Sequence, residues 1–187
     1  MKKLTLAPIL LTLALSSLSA TNSNLALEID PATYGFDGYS VHLKKSFETL
    51  PHLQFGLGIY AMDFPDLFVD LNSKNKNKDW DVRLDRGIGF FADYYFDVEQ
   101  KGFFTGIQVA KQRYEIERNG QKSSYDTTLI MGSFGYLYQP YDNGFYIKPW
   151  MGIGYQDKSS GSNVVNGVEY DVASVLPFAT VHLGYKF

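Results

Sequence analysis

The chain has 187 residues, enough for one domain, with 17 Lys+Arg against 20 Asp+Glu and a formal net charge of −3, so nothing in its charge suits a nucleic acid. It has no cysteine, which excludes disulfide stapling and lipid attachment through a thiol. Tyr and Phe, 14 each, are unusually frequent.

Residues 1–20 read as a cleavable export signal. Lys2 and Lys3 open it, Leu4 to Leu15 supply an apolar stretch, and Ser16, Ser17, Ser19 and Ala20 supply the small residues a signal peptidase requires. The apolar run is shorter than the roughly 20 residues a membrane helix needs. Leu18 sits three places before a cut after Ala20, which leaves cleavage one residue to either side open. The mature chain, 21–187, then carries 15 Lys+Arg against 20 Asp+Glu, a net charge of −5.

Asn24 to Asp30 is a weak strand candidate, followed by a first external connection near Pro31 to Asp37. From residue 38 apolar and polar positions alternate with period two, the mark of strands with two unlike faces. Leu53, Phe55, Leu57, Ile59 and Ala61 oppose Gln54, Gly56, Gly58 and Tyr60. In 80–96, Val82, Leu84, Ile88, Phe90, Ala92, Tyr94 and Phe96 oppose Asp81, Arg83, Asp85, Gly87, Gly89, Phe91, Asp93 and Tyr95, with Arg86 a misfit on the apolar side. The phase of 102–116 is readable only at its start, and in 124–139 Leu129 and Met131 compete with Ile130 and Phe134. Residues 144–156 alternate again, with Pro149 on the apolar side, where a bulge or water is expected. The last strand places Ala179, Val181, Leu183, Tyr185 and Phe187 on one face.

Connections alternate in length. Glu48 to Pro51, Asp97 to Gly102 and Pro140 to Gly144 are short and rich in turn residues, whereas 63–79 and 157–174 are long. Seven strands are clear and closure in pairs requires an eighth, so the expected fold is an all-β, eight-stranded antiparallel up-and-down transmembrane β-barrel. A soluble barrel would show the same period with its apolar face inward. Here the polar face holds Gly56, Gly58, Gly87, Gly89, Gly106, Gly152, Gly154 and Gly184, small residues suited to a crowded lumen, so the apolar face is expected to point outward into lipid.

With its terminal Tyr185-Lys186-Phe187, an aromatic end on an alternating strand, the mature chain resembles the small eight-stranded outer-membrane β-barrel proteins of the OmpX, OmpW and OmpA-barrel types. The resemblance implies a Gram-negative outer-membrane location, outer-membrane lipids and lipopolysaccharide as surroundings, and Tyr185 and Phe187 as the signal read by barrel-insertion machinery. It implies fold more strongly than activity.

The expected lumen network is Lys44, Arg83, Asp85, Asp93, Lys148 and His182, charges that must pair because a narrow barrel holds little water. A structural network is the first reading and a proton or ion path the second. Ser40 and His42 face the same way on one strand and, with Asp37 or Asp85, are the weak candidates for a lipid A-modifying site. Three scattered histidines make no metal signature, and neither metal nor cofactor is expected. Phe64 and Phe68 in an apolar connection, and Lys74, Lys76 and Lys78 beyond it, are candidate external contacts, the lysines to lipopolysaccharide phosphates. The functional expectation is a monomeric, non-enzymatic barrel with a structural, surface-interaction or adhesion role. The alternatives are a narrow channel or carrier for small or hydrophobic molecules, and a lipid A-modifying enzyme.

Overall fold

The computed structural model describes residues 24–70 and 72–187; the expected signal segment lies outside them. Eight strands close an antiparallel barrel: β1 (Leu25–Ile29), β2 (Tyr39–Phe47), β3 (Leu50–Asp63), β4 (Asp81–Tyr95), β5 (Gly102–Arg118), β6 (Gln121–Leu137), β7 (Phe145–Gly161) and β10 (Val175–Lys186). A separate hairpin, β8 (Val164–Val165) and β9 (Val168–Glu169), and two single-turn helices, α1 (Pro31–Gly35) and α2 (Asp66–Asp70), lie in the connections. β10 pairs with β1, so the first and last strands of the barrel are neighbours.

Alternation sets the two faces. Leu57, Met151 and Ile153 are 63, 64 and 68 % exposed on the outside, and Leu43, Ile88, Phe90, Ile107, Val109, Ile130, Phe134 and Val181 continue the same apolar belt. The ambiguous β6 resolves with Leu129 and Met131 inward and Ile130 and Phe134 outward. On β5, β6 and β7 the outward positions turn charged at Lys111, Asp126 and Asp157, and the strands run on to a long-loop end. There β5 and β6 meet in a two-residue turn, Asn119-Gly120, with φ of 51° and 73°. Positive φ at both positions is the turn that matches strand twist, so this connection stays tight where a longer loop fits the alternation of lengths.

β4 departs from its expected phase. Leu84 faces Tyr114 and Arg86 faces Arg113, while on the other side Met62 faces Leu84 and Tyr60 faces Gly87. One extra residue in β4 relative to both neighbours is a β-bulge, and it reverses the faces beyond it. Val82 and Leu84 therefore point inward and are buried, and Asp85 and Arg86 are both exposed. Arg83, expected in the lumen, instead pairs with Asp63 near the long-loop end.

Pro149 produces no register shift. Tyr138 and Ile147 exchange both backbone bonds, which places Pro149 where its N–H would bond β6, and the ladder skips that rung between Gly135–Trp150 and Tyr138–Ile147. Gly135 lies beside this gap, and a Cβ there would stand 2.6 Å from the Pro149 carbonyl oxygen and 2.6 Å from the Phe104 ring. Backbone cannot yield as a flexible side chain does. Gly135→Val is expected to cost roughly 1–3 kcal/mol, read as a lowered urea midpoint of the folded barrel.

The wall is incomplete beside β10. β1 pairs with it only from Ala26–Lys186 to Ile29–Leu183. Above Ile29 the chain turns into α1, capped by Asp30, whose carboxylate accepts from Ala32 N and Thr180 Oγ1. Gln156 N donates to Ser174 O and Phe187 N to Leu25 O, so even-numbered residues of β10 bond β7 and odd-numbered ones face β1. Val175, Pro177, Ala179 and Val181 thus direct their backbone groups at an edge that no described strand pairs. Pro177 removes one donor from that edge, a common way to manage a free one.

Candidate functional site

The lumen is filled in tiers. At the short-turn end Ala26, Tyr95, Phe104, Leu137 and Tyr146 pack together. Above them sits a buried charge cluster built by five strands. Asp93 of β4 accepts from Lys44 of β2 at 2.9 Å and from Lys148 of β7 at 2.8 Å through one oxygen, Oδ2. Lys148 also reaches Glu28 Oε1 of β1 at 3.1 Å, and His182 Nδ1 of β10 lies 3.1 Å from Glu28 Oε2. Tyr146 donates to Glu28 Oε1 at 2.9 Å. Two carboxylates face two ammonium groups, so the charges of these four side chains cancel. The ammonium groups also sit over aromatic faces, Lys44 4.6 Å from the Phe91 centroid and Lys148 4.4 Å from that of Phe104.

The structure brings Lys44, Asp93, Lys148 and His182 together and adds Glu28, which the sequence reading missed. The missed clue was that Glu28 shares its inward phase with Ala26 in a strand too short to read alone. Gly56 and Gly58 of β3 stand opposite Lys44 and His42, and a Cβ at either would fall within 2.5 Å of those side chains, so the glycines make room for the long inward residues. A cavity of about 20 Å³, lined by Glu28, Lys44, Asp93, Lys148, Trp150 and His182 among others, holds space for roughly one water.

Ser40 and His42 form a buried hydrogen bond, Oγ to Nε2 at 3.0 Å. The rest of a nucleophilic triad does not follow: His42 Nδ1 has no hydrogen-bond partner, Asp37 is exposed, and Asp85 is the exposed extra residue of the β4 bulge. A base with no acid hydrogen-bonded to it lacks what a triad needs.

Higher in the lumen Tyr60 accepts hydrogen bonds from Gln108 and Gln112 at 3.0 and 3.1 Å. An apolar cap follows, in which Met62, Val69, Trp80, Val82, Tyr114, Ile116, Tyr125, Val165 and Tyr170 close the long-loop end. Phe64, expected as an external contact, packs into this cap with its ring 5.9 Å from that of Tyr114. Phe68 and its neighbour Leu67 on α2 are exposed, Leu67 by 70 %.

Lys74, expected free for phosphates, pairs with Asp171 at 2.9 Å, while Lys76 is exposed and Lys78 half-buried. Asp171 also accepts from Asn72 Nδ2 at 2.9 Å, and its backbone exchanges bonds with the buried Asn75 side chain, at 2.8 and 2.9 Å. These bonds join the 64–80 connection to 162–174 over the cap. The hydrogen bonds from Asn72 and Lys74 hold the Asp171 carboxyl below the usual carboxylate range. A depressed acid stabilises the fold above its unfolded pKa, about 3.9, and the contribution is lost as pH falls through the lower folded value. Being at the surface, the latch is worth at most about 1 kcal/mol. Asp171→Ala at neutral pH is expected to speed cleavage of 72–79 by a lysine-specific protease while leaving the barrel folded, and unchanged cleavage would show that Asn75 alone holds the loop.

No protein-family model matches the chain, and no curated protein matches it in sequence. Among solved structures it is similar to the crystal structure of Neisserial surface protein A, with 14 % identity, coverage of 88 % of this chain and 98 % of that one, and a TM-score of 0.49.

Proposed function

We propose that this chain is an integral protein of the Gram-negative outer membrane, exported by its first twenty residues, with a structural, surface-interaction or adhesion role and with no enzymatic step. The observation that carries the reading is the inversion of its two faces: the outside is apolar around the barrel, and the inside holds the paired charges. On β7 the belt runs from Phe145 to Tyr155. Ten rises of about 3.3 Å, tilted by about 40°, give roughly 25 Å along the barrel axis, the height of the apolar band of such barrels. Aromatic side chains mark the lower rim, with Tyr94, Phe96, Phe103, Tyr136, Phe145 and Tyr185 all exposed. Tyr185 and Phe187 then serve the insertion machinery, and Leu67 and Phe68 stand where a surface contact would be made. Two observations favour a non-enzymatic barrel over lipid A modification: no carboxylate is hydrogen-bonded to His42 Nδ1, and the Ser40–His42 pair is buried in the lumen, away from the lipid side.

The test is refolding of residues 21–187 with and without detergent. The expected result is a heat-modifiable band on unboiled gels only in micelles. A monodisperse, folded chain in plain buffer would overturn the reading.

One observation favours a second reading, a carrier for apolar molecules. Beside the free β10 edge the inward Phe178 is 36 % exposed, with its ring 5.4 Å from that of Trp150. An acyl chain passing this edge would meet both rings. Quenching of Trp150 by a brominated fatty acid, in a Trp80→Phe background and saturable by the unbrominated acid, would favour the carrier; quenching that does not saturate would leave the wall as mere lipid contact.

A further inference from the structure

We propose that Glu28, His42 and His182 form a binding site for one divalent transition-metal ion with the ligand preference of zinc. The three residues come from adjacent strands, since β1 lies between β2 and β10. Glu28 faces His42 across one ladder and Gly184 across the other, and His182 lies two residues from Gly184 on the same inward face. All three are at least 96 % buried. One donor atom from each lies within 4.8 Å of the others.

The two carboxylate oxygens have separate duties. Oε1 accepts from Tyr146 and Lys148, whereas Oε2 meets only His182 Nδ1. His42 is oriented from behind. Its Nε2 is bonded to Ser40 Oγ, and the ring edge bearing Cδ2 and Nε2 is the one against Gly58 of β3, so Nδ1 is turned away from β3, and β1 is the other neighbour of β2. Nδ1 is buried and without a partner, and in the tautomer whose Nε2–H donates to Ser40 Oγ it carries a bare lone pair. An imidazole held through one nitrogen with the other free is the arrangement by which histidines are prepared as ligands. Buried polar atoms are normally satisfied, and an orphan calls for a group that completes it.

Donors 2.0–2.2 Å from one ion stand about 3–3.5 Å from each other. The 3.1 Å between His182 Nδ1 and Glu28 Oε2 already has that value, so the ion takes the place of the proton between them and the proton of neutral His182 moves to Nε2. His42 closes the remaining distance by side-chain rotation. The adjoining cavity has room for one water as a fourth ligand. Lys44 and Lys148 oppose a cation, but both are anchored on Asp93. Their repulsion weakens any divalent ion equally, so only one with strong affinity for imidazole is held, and two imidazoles with one carboxylate suit zinc rather than calcium or magnesium, which require oxygen cages. The site departs from the expectation of no metal, because spacing along the chain could not show that barrel closure joins the first and last strands. It requires the closed barrel and is independent of which surface role the barrel has.

The experiment uses the mature protein folded in micelles, stripped with chelator, loaded with zinc and dialysed, with metal measured by elemental analysis. A single zinc per chain is expected, lost in His42→Gln and in His182→Gln and retained in His52→Gln, whose ring sits apart against the Tyr95 carbonyl. Calcium and magnesium should not be retained. The heat-modifiable band identifies variants that fold. Should either lumen variant fail to fold, cobalt loading of the unsubstituted protein decides, through visible ligand-field bands that zinc displaces. Absence of retained zinc and of those bands, or equal zinc in folded lumen variants, or loss of zinc in His52→Gln, would overturn the site.

Discussion

Asp93→Ala is expected to destabilise the folded barrel by about 3–5 kcal/mol, the usual consequence of removing one partner from a buried ion pair. The effect should exceed that of most single changes because one carboxylate serves two ammonium groups, at 2.9 and 2.8 Å. Lys148 retains Glu28 after the change, but Lys44, whose side chain is 2 % exposed, loses its ion-pair partner. The Phe91 face above Lys44 offsets only a small part of that loss. Adding Lys44→Met to Asp93→Ala removes the stranded charge and restores neutrality, so the double variant should recover most of the stability. Urea unfolding in micelles, followed by tryptophan fluorescence, measures both. If the single variant unfolds within about 0.5 kcal/mol of the parent, the ammonium is hydrated, and a lumen wide enough to hydrate it would favour a channel.

How far the sequence revealed this barrel depends on where its register is constant. β3 and β7 were legible because Leu57 and Ile153 stand in unbroken alternation, and Pro149 costs β7 a rung without shifting it. β4 misleads from Asp81 to Asp85, since a period of two carries across a bulge only if the bulge is known; the alternation that is right from Gly87 onward places Arg83 and Asp85 inward and Val82 and Leu84 outward for that reason. The misfit Arg86 was the visible trace of it. Glu28 and His182 lie 154 positions apart and meet because the ring closes, a long-range pairing that local pattern does not encode. Phe64 and Trp80 enter the cap through connections that fold back over the lumen, and such segments have no period to read.

Leu57→Arg is expected to cost about 2–4 kcal/mol if the apolar belt lies in hydrocarbon, the range found for a cation at the midplane of a barrel's lipid face. Leu57 tests the belt well because it makes little use of the barrel itself. It is 63 % exposed, it points away from the lumen charges, and its cross-strand partners Leu43 and Phe90 are outward and exposed too. In water the same substitution removes a protruding side chain and adds a solvated charge, a change normally within about 0.5 kcal/mol. The two readings therefore differ by several-fold in the same measurement. Lys111→Arg is the control: it sits on the outer face of β5 after the apolar positions end, its exposed head already meets Ser159, and it should be neutral in lipid or in water. Depth supplies the second dimension. Phe96→Arg, at the short-turn rim, should cost less than Leu57→Arg, because the penalty falls toward the interface. Equal and small costs at Leu57 and Phe96 would mean that the belt meets water, and the assignment of inner and outer solvent would have to be reversed.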